Sequence, residues 1–251
     1  MNLNDGDNIL KRIKEVIGSA GVNFSVLEHQ IDVKVQVEYF EFSKNQPLVK
    51  DADETINEEP KLYADDIDFE KKQQLLVSLA SIDKPEAYRV IERFASKVPP
   101  ELKDWTMMAL QENRMLLESR LLDEQQIFIS TGLGGKGSKL RYFIAIFSES
   151  KQNFTDTQKK LIKGEMELSL KRFQCEIEEI DFHGNYASII SLIPLNVHVR
   201  EPFQMAIDEC NALGEFIQGN FLITNVKVMN KDEIKDIVES SNTENDLDLE
   251  I

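Results

Sequence analysis

Six residues near the middle of the chain, Gly132-Leu133-Gly134-Gly135-Lys136-Gly137, follow the spacing G-x-G-x-x-G. A dinucleotide site sets that pattern after a strand and at the mouth of a helix, where unpaired backbone N–H groups meet a pyrophosphate. Here the strand-like run Lys139–Phe147 follows instead, and Ser138 stands where a Walker loop needs lysine. The expectation is therefore a glycine-rich β-hairpin loop over 131–138. Its alternative use is to grip an anion. Gly132, Gly134, Gly135 and Gly137 would supply backbone, Lys136, Lys139 and Arg141 positive charge, and His198 a further ligand.

The other chemistry-bearing side chains are scattered. His29 precedes a predicted strand, His183 sits in a His-Gly-Asn turn, and His198 lies before a predicted helix. Metal and nucleophilic sites place histidine at short spacing from another ligand or from a nucleophile. Ferredoxin-like nucleases of the transposase type carry a His-x-His pair, whereas this chain offers Val197-His198-Val199. Glu176, Glu178, Glu179 and Asp181 crowd one predicted strand, where acids on an exposed edge are expected to be solvated and to discourage edge pairing. Tyr142 and Phe143 lack the basic surround of an RNA-reading sheet, and Trp105 falls on an apolar helical stripe. Cys175 and Cys210 are too few for a disulfide framework or a cysteine-rich zinc site and are expected to be reduced and buried. No metal and no cofactor is expected.

Charge separates the elements that must position these groups. The formal net charge is −16, yet residues 69–231 contribute only −1. Residues 44–68 hold eight acids against three bases, and residues 232–251 eight against one. These two stretches read as a flexible acidic linker and an acidic tail. Acidity of this kind argues against binding a phosphate backbone, so no nucleic-acid partner is expected. No run approaches a membrane span, and the first residues, MNLNDGDNILKRIKEV, do not resemble a signal peptide, so cytoplasmic localisation without a membrane partner is expected.

Periodicity sets the element expectations. Residues 8–18 read as an amphipathic helix between Asp7 and Gly18, and 31–42 (IDVKVQVEYFEF) as an alternating strand, giving an N-terminal segment over 1–43. Helices follow over 69–82, from Pro85 onward with Asp83 as cap, and from Pro100 to Leu122. Strands are predicted at 125–130, 139–147, 175–182, 186–194 and 221–229. Helices are predicted at 155–173, opened by a Thr155-to-Gln158 capping box, and at 202–217.

The stretch DKPEAYRVIERFASKVPPELKDWTMMAL, within 69–122, resembles a HEAT-like helical hairpin. That resemblance implies a protein-packing scaffold. From Leu140 the order is β-α-β-β-α-β, which resembles the ferredoxin-like plan over 123–231: an antiparallel sheet with two helices on one face. The fold class expected is α+β. On these grounds the expected function is a noncatalytic protein-interaction or regulatory module, with a protein partner and a plausible homodimer through exposed sheet edges. The alternatives are an anionic-metabolite sensor using loop 131–138 and a hydrolase or transferase with a site between the two halves.

Overall fold

The computed structural model describes residues 23–122 and 126–241. The protein is α+β, and the chain divides at Ser130 into two compact units. The predicted helix over 8–18 lies outside the described residues.

The first unit is built on helices. Two four-residue strands, β1 (Asn23–Val26) and β2 (Gln126–Ile129), pair in parallel. Between them run α1 (Val33–Lys44), α2 (Ala52–Asn57), α3 (Pro60–Tyr63), α4 (Phe69–Ala80), α5 (Pro85–Ala95) and α6 (Pro100–Leu122). The last three meet the expectation from periodicity, and their apolar stripes form one core around Leu76, Leu79, Ile91, Phe94, Leu102 and Met108.

Three expectations in this unit need correction. Residues 31–42 are helical, not a strand: Asp32 caps α1 by accepting from the Lys34 N–H at 2.8 Å. The buried positions are Ile31, Gln36 and Tyr39, while Val33 and Val37 are exposed. The alternating valines therefore do not mark the buried face. Residues 44–68 are not a flexible linker. Asp51 caps α2 through the N–H groups of Asp53 and Glu54, Leu62 of α3 is buried in the core, and Glu59 pairs with Arg93 of α5. Asp83 does not cap α5. Arg120 takes its Oδ2 at 2.6 Å instead.

The second unit carries the expected βαββαβ order. Strand β4 (Lys139–Phe147) pairs antiparallel with β6 (Tyr186–Pro194), which pairs with β5 (Glu176–Phe182), and β7 (Leu222–Thr224) pairs with the other side of β4. A two-residue strand, β3 (Gly135–Lys136), folds back on β4. Helices α7 (Asp156–Arg172) and α8 (Glu201–Ala212) cover one face, burying Ile144, Ile146, Ile189 and Ile193 against Ile162, Phe203 and Ile207. The Thr155–Gln158 capping box is present. Helix α8 stops short of the predicted 217. The Asn211 side chain accepts from the N–H groups of Phe216 and Ile217 and donates to the Ile217 carbonyl, closing a turn. Strand β7 ends early for a related reason: the Asn225 carbonyl accepts from Leu133 N–H, which draws the chain away from β4. The supposed acidic tail begins as a helix, α9 (Lys231–Ser241), whose Ile234 is buried with Phe143, Ala145 and Tyr186 on the second face of the sheet.

Candidate functional site

The glycine-rich segment forms a packed turn and then the β3–β4 hairpin. Gly134 and Gly137 take φ of 66° and 60°. Gly132, Gly134 and Gly135 are buried, and only Lys136, Gly137 and Ser138 are exposed. The N–H groups of Leu133 and Gly134 already donate to Asn225 and Thr131 carbonyls, so they do not face an anion. The two other cations are engaged by strand β5. Lys139 donates to Glu176 at 2.7 Å, and Arg141 forms a two-pronged pair with Glu178 at 2.5 and 2.9 Å. Those hydrogen bonds hold both carboxyls below the usual carboxylate range. His198 is exposed beyond the Pro194 end of β6, and His183 lies before its Tyr186 end. A nine-residue strand separates these ends by roughly 27 Å, so the two histidines do not act together. His29 is exposed in the first unit.

The convergent side chains lie on the face of the sheet opposite α7 and α8. Alternation along β6 sends Tyr186, Ser188 and Ile190 to this side. On β5 the register shifts between Ile177 and Glu179, and from there Glu179, Asp181 and the following His183 share that side. Asp181 stands directly across from Ser188 in the register. The result is a cleft of about 590 Å³ lined by Glu179, Asp181, His183, Tyr186, Ser188 and Lys231, among others.

Within it, His183 Nε2 lies 2.8 Å from Ser188 Oγ. The imidazole stacks on the Tyr186 ring at 4.8 Å between centroids, with 25° between planes, which fixes its orientation. The Asp181 carboxyl, hydrogen-bonded to Glu179 and repelling its charge, raises the Glu179 pKa, while His183 opposes that shift. Burial raises the Tyr186 phenol, so it is a poor nucleophile at neutral pH. Among the described residues no three His, Cys, Asp or Glu side chains are gathered to hold a metal ion. The arrangement offers a hydroxyl held by an imidazole beside two carboxyls, Glu179 and Asp181.

His183 is exposed beside its turn, and Glu179 and Asp181 are exposed acids on an edge strand, as their sequence context leads one to expect. What that context does not show is that they share one face with Tyr186 and Ser188. The signal available was the two-residue spacing Glu179, Asp181, His183 across a tight turn from Tyr186 and Ser188.

No family model and no curated protein matches the chain. Solved structures similar to it include two transposases. A proposed transposase from Deinococcus radiodurans R1 is 11% identical over 41% of this chain and 90% of its own, with a TM-score of 0.35. A REP-associated tyrosine transposase bound to a REP hairpin is 13% identical over 42% of this chain and 68% of its own, with a TM-score of 0.28. These neighbours overturn the expectation of a noncatalytic, regulatory, protein-binding module and the expectation that nucleic acid is no partner. At such TM-scores they assign no residue role or substrate to this chain. Among the described residues no helix is long and apolar enough to cross a membrane.

Proposed function

We propose that the C-terminal unit is a group-transfer enzyme in which Ser188 is the nucleophile and His183 its general base. The observation that carries this reading is the 2.8 Å contact of His183 Nε2 with Ser188 Oγ inside the open-face cleft. A serine hydroxyl is inert at its own pKa, and an adjacent imidazole removes that barrier by taking the proton as the oxygen attacks. The Ser188 oxygen then bonds to the electrophilic carbon or phosphorus, the bond to the leaving group breaks, and the His183 proton passes to that leaving group. Tyr186 holds the imidazole by stacking on it. A cytoplasmic, reducing setting accords with two buried, unbridged thiols.

The test uses the full chain with two probes, a fluorophosphonate and an end-labelled single-stranded DNA hairpin. Peptide mass spectrometry is expected to find an adduct on Ser188 with one of them. Ser188→Ala removes the adduct, and His183→Gln slows its formation by about 100-fold or more. Labelling by the hairpin identifies a phosphodiester substrate, and labelling by the fluorophosphonate alone identifies an ester or amide. Absence of a Ser188 adduct with both probes, or an unchanged rate in His183→Gln, overturns the proposal.

A further inference from the structure

The first unit contains a second cavity, of about 430 Å³, that the reading above does not use. Its wall is one stripe of α6, in which Met108, Glu112, Met115 and Ser119 follow at helical spacing, closed by Phe40 of α1 and Phe128 of β2. The Phe40 and Phe128 rings meet edge to face at 6.0 Å. Methionine and phenylalanine make this surface apolar and adaptable. One acid interrupts it. Glu112 Oε2 accepts from the Tyr39 hydroxyl at 2.5 Å, and Oε1 accepts from Ser43 at 3.3 Å. A carboxylate has about four acceptor positions, and two donors leave it partly unsatisfied. Among the described residues no lysine or arginine forms an ion pair with Glu112. A carboxylate in an apolar wall without a cation is costly, and either a proton or an incoming cation relieves that cost.

We infer that this cavity binds a lipophilic ammonium, a small apolar body carrying one protonated amine, with the amine on Glu112 and the body among Phe40, Met108, Met115 and Phe128. The charge of the lone acid selects the amine, and the apolar wall selects the body. An alcohol of the same shape loses the charge-assisted hydrogen bond, and a carboxylate meets like charge.

The chain has one tryptophan, Trp105, whose ring packs edge to face on Tyr39 at 5.1 Å, one step from Glu112. Its fluorescence therefore reports occupancy. Hexylamine, hexanol and hexanoate are titrated into the full chain at pH 7. The expected result is a saturable change with hexylamine at an affinity at least about tenfold above hexanol, and none with hexanoate. Glu112→Gln, confirmed folded by circular dichroism, is expected to abolish the preference for amine over alcohol. No saturable change, equal affinity for hexanol, or an amine preference that survives Glu112→Gln overturns the inference. Where Glu112→Gln does not fold, the ranking of the three ligands on the native chain decides.

Discussion

Asn113 is the residue whose loss should most damage the helical unit. It lies fully buried on α6, and its Nδ2 reaches the carbonyls of Leu79, Ala80 and Ile82 at 3.1, 3.0 and 2.8 Å. These carbonyls lie at and just past the C-terminal end of α4, where those of Leu79 and Ile82 also accept from the N–H groups of Ile82 and Lys84. The amide has two N–H groups, so truncation to alanine removes about two bonds: one strands the Ala80 carbonyl at roughly 2 kcal/mol, and the other, on a carbonyl that keeps a backbone donor, costs about 1 kcal/mol. The Oδ1 end of the same amide finds no partner among the described residues, so deleting it returns about 1 kcal/mol. The net expectation for Asn113→Ala is a loss of about 2 kcal/mol. Asn113→Asp removes the same donors and sets a carboxylate against three carbonyl oxygens, so it should cost at least about 1 kcal/mol more. Urea unfolding followed by Trp105 fluorescence isolates this unit, because the second unit has no tryptophan. In thermal terms the alanine variant should melt about 8 °C lower or more, at roughly 4 °C per kcal/mol for a unit of this size. An Asn113→Ala loss below about 1 kcal/mol, or an aspartate variant as stable as the alanine one, would refute the argument.

Three further outcomes are expected in the second unit. A Cβ on Gly132 would sit 1.8 Å from the Val226 carbonyl oxygen, so Gly132→Ala should cost about 3 kcal/mol in thermal unfolding followed by circular dichroism. Gly137→Ala meets no neighbouring atom and pays only for its positive φ, about 1 kcal/mol; equal losses would contradict the packed-turn description. Because Arg141 holds the Glu178 carboxyl below its unfolded value, that pair stabilises the fold above the ordinary carboxylate range and is lost as pH falls through the lowered value. Glu178→Gln should cost about 1 kcal/mol at pH 7 and almost nothing at pH 2, measured by denaturant unfolding at both pH values. Burial pushes the Cys175 and Cys210 thiols up to about 11 and about 12, so Ellman's reagent at pH 8 should titrate both only after urea is added.

The parts of the fold legible in sequence were those in which burial follows local period. Helices α4 to α6 and the βαββαβ order announce themselves through apolar stripes, a capping box and turn residues. The failures share a cause in side-chain chemistry. In α1 the buried face includes Gln36, whose amide donates to the Ile31 carbonyl at 2.8 Å, so a polar residue stands where a hydrophobic one was sought. The valines that suggested a strand lie partly exposed. Residues 44–68 looked like a solvated acidic run because their acids find partners far along the chain, such as Asp53 with Lys84 and Glu59 with Arg93. The open-face cleft was hidden for a third reason. A register shift in β5 and a tight turn bring Glu179, Asp181 and His183 beside Ser188, and no single strand shows that meeting.

The parallel pairing of β1 with β2 has a consequence for how the helical unit can be cut and rejoined. Residue 23 lies beside residue 126, so the unit is entered and left on neighbouring strands about 10 Å apart along their length, with roughly a hundred residues looped between. A clasp that spans so long a loop gains its contacts only once the helices have docked, so it closes late. It also makes the ends interchangeable with an exposed bend elsewhere. A version reopened at the turn between α5 and α6, with the old ends fused by a few glycines and serines, should keep the same helical core.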